Sequence, residues 1–169
     1  MVFGQKKKDN QNDLSGLTSI SLANIIPSVI GGLFWLFMAR LLGVEAYGQV
    51  SYILAIASLA ATLSSLGTGN TTLVFTAKGE KILSTTFFIS LVSTLLASLI
   101  LYVFFHNIAT IFYIIGSAFF GLITSELLGL KAYRKYAIFS IIQRILMVGL
   151  SIGLYFLIGI DGIIMGIGL

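Results

Sequence analysis

The feature that most constrains this chain is the spacing of its apolar residues, which come in blocks of about twenty broken by short polar connections. Twenty helical residues at 1.5 Å each reach ~30 Å, the thickness of a bilayer's hydrocarbon core. A water-soluble helix of that length would carry an apolar stripe and a charged back. Here 57% of the residues are hydrophobic and only 9% are charged, against about 25% charged in soluble domains. Sixteen charges cannot clothe a water-facing surface of 169 residues. The sequence therefore predicts an all-α, polytopic membrane protein, because a helix satisfies its backbone within the segment that crosses lipid. No β-pattern is present.

Residues 1–13 form a polar segment carrying Lys6, Lys7 and Lys8, expected as a short cytosolic tail. The apolar run behind it is too long for a signal peptide and lacks a small-residue cleavage site. Residues 14–169 are expected to form one transmembrane helical bundle. The spans run near Leu17–Ala39, Tyr47–Leu66, Ile82–Phe104, Ile108–Leu130 and Ala137–Ile158. A sixth begins near Asp161 and stops at Leu169 after nine residues, less than half a bilayer core, so the chain is expected to be truncated. With the N-terminus inside, Lys6, Lys7, Lys8, Lys78, Lys81, Lys131, Arg134 and Lys135 share the inner side, against Arg40 on the outer side. That asymmetry fixes the expected orientation. Trp35, Tyr102, Phe104, Phe105, Tyr155 and Phe156 fall near outer ends, Tyr133 and Tyr136 near inner ones.

Small residues recur at helical spacing: Ser117, Gly121, Ser125 and Gly129 in the fourth span, Ser90, Thr94 and Ser98 in the third, Gly149 and Gly153 in the fifth. Such stripes let helix backbones approach closely, as association within lipid requires.

Little in the sequence supports enzyme chemistry. Cysteine is absent, and one histidine with six scattered acids offers no metal cluster, cofactor site or catalytic pair. The pI near 9.4 comes from bases at helix ends, not from a nucleic-acid-binding stripe. His106 is expected as a solvated turn residue, and Gly67-Thr68-Gly69 as a turn, since it lacks the third glycine and strand–helix setting of a phosphate loop.

What remains is polarity set into lipid. Arg144, with Gln143 beside it, lies within the fifth span, and Glu126 lies about one turn from the inner end of the fourth. An arginine at mid-span is disfavoured by about 2.5–3.5 kcal/mol on insertion scales, so it is usually kept for a reason. Two readings are open: a structural Glu126–Arg144 ion pair at matching depth, or an Arg144 that faces a polar cavity and attracts an anion. In the first span, Asn24, Pro27 and Gly31-Gly32 predict a bend, because Pro27 leaves the Ala23 carbonyl without its N–H partner. Ser28 and Asn24 are near enough in sequence to help satisfy it.

The turn between the first two spans reads ARLLGVEAYG. Arg40 complements the negative end of the first span, Gly43 can stop a helix with a left-handed residue, and Glu45 meets the positive end of the second. The longer string ARLLGVEAYGQVSYILAIASLAATLSSLG, with its Arg40, Gly43, Glu45, Tyr47 and Gly48, resembles the opening hairpin of the polysaccharide biosynthesis proteins, the Wzx-type oligosaccharide flippases of the multidrug/oligosaccharidyl-lipid/polysaccharide exporter superfamily. Lys78-Gly79-Glu80-Lys81, the basic run from Lys131 to Tyr136 and Gly159-Ile160-Asp161-Gly162 fit the same order.

The resemblance implies the N-terminal lobe of a two-lobed carrier of the cell membrane. Such a carrier moves a polyprenyl-pyrophosphate-linked oligosaccharide by alternating access through a cavity that opens inward and outward in turn. From the polarity set into the spans, Arg40 and Arg144 are expected as the anion contacts of such a cavity and Asn24 and Gln143 as its polar lining, with Pro27, Gly31 and Gly32 as a hinge in the first span. The expected partners are the bilayer, the lipid-linked sugar, and a C-terminal lobe or second copy, with no nucleic acid. Family members have twelve to fourteen spans, and this chain supplies five and a fraction. Two alternatives stand: an ion-coupled exporter of small molecules with Glu126 titrating, and a truncated remnant that transports nothing.

Overall fold

The computed structural model describes the backbone of residues 2–168 and the side chains of residues 18, 21, 22 and 24–168. Every element among them is a helix: α1 (Val2–Ser64), α2 (Thr68–Ala77), α3 (Leu83–Phe105), α4 (Ile108–Gly129), α5 (Tyr133–Ile158) and α6 (Ile160–Gly168). Four are long and apolar enough to cross a membrane, counting Asn24–Ser64 of α1 as one.

That apolar part of α1 has 41 residues, which as a straight rod would extend ~60 Å, twice a bilayer core. It does not stay straight. Gly43 breaks the helix with φ 72° and ψ 176°, and the Trp35 and Tyr47 rings, twelve residues apart in sequence, meet edge-on at 5.8 Å between centroids. Along a continuous helix their backbones would stand ~18 Å apart. The chain therefore doubles back at Gly43, and α1 is a hairpin of two limbs. Gly43 was expected in the left-handed helical region; its ψ instead puts it in the extended positive-φ region that essentially only glycine occupies. Replacing Gly43 by alanine is expected to destabilise the hairpin by about 1–3 kcal/mol, read as a lower unfolding midpoint in detergent, although no atom crowds the position.

Pro27, Gly31 and Gly32 keep helical dihedrals, and the reversal of direction in α1 falls at Gly43. The Ser28 hydroxyl donates to the Asn24 carbonyl at 2.6 Å, one residue beyond the Ala23 carbonyl that Pro27 leaves without its N–H.

The second limb ends at Ser64, and Leu66 and Gly67 turn the chain with positive φ before α2 begins. The sequence reading had a connection here. The polar string TGNTTLVFTA forms a helix because α3 and α4 receive it. Thr72 is fully buried and donates to the Thr86 hydroxyl of α3 at 2.9 Å. Gly69 lies against Ser125, and a Cβ on Gly129 would come within 2.8 Å of both the Leu73 carbonyl and Thr76. The α4 stripe thus serves close packing at its Ser125 and Gly129 end. On α3, Ser90, Thr94 and Ser98 are buried as expected, joined by Thr86 one turn earlier.

The α5 stripe does not pack in this way: nothing lies within 4 Å of a Cβ built on Gly149 or Gly153. The close approach belongs to α6, where a Cβ on Gly162 or Gly166 would overlap the backbone at Leu154 or Ser151 of α5, and one on Gly168 would overlap Tyr113 of α4. The main core joins the hairpin to this corner through Phe34, Met38, Val50, Met147 and Ile163. Asn107 caps α4 by accepting from the Ala109 N–H at 2.8 Å and donates its amide to Asp161 of α6 at 2.7 Å. His106, exposed, ends α3 with φ 51°, in keeping with a solvated turn residue.

Candidate functional site

α5 begins at Tyr133, four residues before the expected start of the fifth span. Arg144 therefore sits eleven residues along its helix, ~16 Å from its start, whereas Glu126 is three residues from Gly129, the end of α4, ~4.5 Å from it. The matching depth on which a Glu126–Arg144 pair depended is absent. No ion pair joins the two, and Glu126 lines none of the cavities around Arg144.

α5 packs chiefly on α1 and α6 and only lightly on α4. Below the last residues of α6, Ile167 and Gly168, a cavity of about 600 Å³ lies between α4 and α5, walled by Ile111, Phe112, Ile115, Phe119 and Ile123 from α4 and by Phe139, Gln143, Arg144 and Met147 from α5. Phe120 and Phe139 stack across it at 5.6 Å. On the side facing α1 it adjoins a recess of about 150 Å³, with Phe120, Gln143 and Arg144 common to both. Asn24, Pro27, Ser28, Tyr136 and Ser140 complete the recess. Three of the four expected binding residues, Asn24, Gln143 and Arg144, are thus gathered together with Pro27.

Arg40 is apart from them. It is exposed near the tip of the hairpin with Gly43, Glu45 and Gly48, nine residues beyond Gly31, ~13 Å along the limb. Tyr47 is half-buried against Trp35. Gly31 does reach the site: a Cβ there would lie in ordinary contact with the Arg144 guanidinium, 3.6 Å from Nη1. Gly32 faces open space.

The polar inventory of the recess is incomplete in a specific way. Arg144 Nη1 donates to the Met147 thioether at 3.3 Å, a weak acceptor. Arg144 Nε is buried with no partner, and so is the Ser140 hydroxyl one helical turn away, on a residue only 6% exposed. The Tyr136 hydroxyl and the Asn24 amide oxygen lie 3.3 Å apart. Buried donors without acceptors are rare in folded proteins, and a cation without a counter-charge more costly still. Such an arrangement can accept an oxyanion, with the guanidinium supplying charge and the hydroxyls and amides supplying orientation. Among the described residues no group of three His, Asp or Glu side chains gathers to hold a metal.

The sequence reading missed Tyr136 and Ser140. The signal was available: Tyr136, Ser140 and Arg144 fall at i, i+4 and i+8, one polar face of a helix. A helix start at Ala137 leaves Tyr136 outside the span as an interfacial aromatic.

Compared with known protein families, residues 14–123 match the family described as polysaccharide biosynthesis protein. No curated protein and no solved structure matches the chain.

Proposed function

The chain belongs to the polysaccharide biosynthesis protein family, a family of membrane transporters, and we propose that it acts as the N-terminal lobe of a flippase for polyprenyl-pyrophosphate-linked oligosaccharide in the cell membrane. An anionic, hydroxylated head cannot enter hydrocarbon unaided, since each unsatisfied polar group there costs several kcal/mol. A protein that offers a buried cation and uncharged hydrogen-bonding groups lowers that barrier. The observation carrying this reading is Arg144, half-buried in a membrane helix without a counter-ion among the described residues, its Nε unpartnered beside an equally unpartnered Ser140.

In this reading each limb of α1 crosses the membrane separately, giving five crossings before α6. Supporting the orientation, Gly129 against Leu73 and Thr76 brings the Lys78–Lys81 connection beside Lys131 and the start of α5, and all five bases there, Lys78, Lys81, Lys131, Arg134 and Lys135, are exposed. The Asn107–Asp161 bond belongs to the opposite end of α4. The positive end is the cytosolic one. Arg40, at the hairpin tip, meets the anionic head at the outer mouth; Pro27, Gly31 and Gly32 give the first limb its freedom beside Arg144.

The test is transport of lipid-linked oligosaccharide by the complete transporter with Arg144→Ala, →Gln or →Lys. The alanine and glutamine forms are expected to lose translocation by about tenfold or more, equivalent to one charge-assisted contact of ~1.4 kcal/mol or above, with lysine partly active. Full translocation by the alanine form at normal abundance would remove the proposal.

A further inference from the structure

We infer that one end of the bundle carries a basic surface that gathers anionic phospholipid headgroups. It stands apart from Arg144 and needs only that the long helices cross a bilayer. Five of the seven bases among the described side chains, Lys78, Lys81, Lys131, Arg134 and Lys135, are exposed there. Packing brings them together. Gly129 at the end of α4 lies against Leu73 and Thr76 of α2, and the Glu80 N–H donates to the Phe75 carbonyl, folding the next connection back over the end of α2. Helix polarity accounts for two of the five: Lys78 and Lys131 follow the ends of α2 and α4, where the carbonyl pole favours a cation. It opposes the other three. Lys81 lies two residues before α3, and Arg134 and Lys135 stand in the first turn of α5, where the N–H pole favours an anion. Among the described residues no ion pair or side-chain hydrogen bond engages these three. Glu80 and Glu126, the acids nearest in sequence, are two against five bases. Three cations at two positive helix ends make a place for an external anion. Its kind follows from the neighbours. Val74, Phe75, Leu130 and Ile138, on the adjoining turns, are exposed, and Lys78 Nζ lies over the Phe75 ring at 5.4 Å. Apolar side chains open to acyl chains, beside cations that reach outward, suit a headgroup interface. A phospholipid covers both; an acidic soluble protein would cover the bases alone.

The test is lipid selectivity of the full chain in phosphatidylcholine nanodiscs. Spin-labelled phosphatidylglycerol and spin-labelled phosphatidylcholine are the probes, and their relative association with the protein is read from the motionally restricted fraction of each spectrum. At low salt the anionic probe is expected to be preferred by about threefold or more. The preference is expected to shrink in 0.5 M salt, as screening of an exposed surface requires (the Debye length is then about 4 Å). The triple variant Lys81→Gln, Arg134→Gln, Lys135→Gln is expected to bring the two probes close to equal association. Its unfolding midpoint in phosphatidylcholine reports whether it is folded; if the midpoint falls, the three single variants decide, each expected to lower the preference in part. Equal association of both probes with the native chain overturns the lipid surface and leaves an acidic soluble partner as the reading of the five bases. A native preference kept by the folded variants, or one indifferent to salt, overturns it too, since the selectivity would then come from elsewhere on the chain. None of these outcomes bears on Arg144, whose own test is transport.

Discussion

Replacing Arg144 by methionine is expected to stabilise the isolated fold by about 1–3 kcal/mol while abolishing transport by the complete protein. The two effects share one cause. Arg144 keeps a guanidinium in a half-buried site of a membrane helix, and its donors find only a thioether on one nitrogen and nothing on another. A methionine of similar length would fill the space over Gly31 and beside Met147 without an unmatched donor, and its flexible thioether adapts to irregular gaps. Thermal unfolding in detergent should show the midpoint rise. A fall would mean that Arg144 is held by packing or charge in the fold itself, and its claim to be a ligand contact would weaken accordingly. Adding a diphosphate probe sharpens the contrast: it should raise the native midpoint, by linkage to the folded state, and leave that of Arg144→Met where it is.

The four long apolar helices were legible because lipid imposes one length and one secondary structure, and block length carries both. The hairpin was legible from Gly43 amid ARLLGVEAYG, since a glycine between two apolar runs is a strong local stop. α2 was not, because Thr and Asn are weak helix formers and its helix rests on partners distant in sequence, Thr86 and Gly129. The site was legible in part. Asn24, Gln143 and Arg144 stand out as polarity inside apolar runs, and the fold brings them to one recess. The Glu126 pairing failed on a boundary: YRKY looked like a basic loop, yet it is the first turn of α5, and those four residues move Arg144 ~6 Å deeper relative to the helix start. Depth in a membrane helix is counted from its end, so a boundary error becomes an error in partner.

The same boundary logic separates two sets of glycines that look alike in sequence. Gly162 and Gly166 to alanine are each expected to destabilise the fold by about 1–3 kcal/mol, whereas Gly149 and Gly153 to alanine are expected to be neutral or to stabilise it by about 0.5–1 kcal/mol. All four lie in apolar helices at spacing four. The difference is what stands opposite. A Cβ on Gly162 would overlap the Leu154 carbonyl, and one on Gly166 the Ser151 backbone, neither of which can rotate away. The only escape is for α6 to withdraw from α5, and that opens the core where Ile163 and Ile164 are fully buried. On α5 the added methyl meets open space, so what remains is the gain in helix propensity over glycine. Because Gly162 and Gly166 press on the same helix, their effects should fall short of additive: once the first methyl has lifted α6, the second meets less. Unfolding midpoints of the four single variants and the Gly162–Gly166 double variant decide the matter. Equal effects at all four positions would mean that α6 does not lie against α5 through these two glycines.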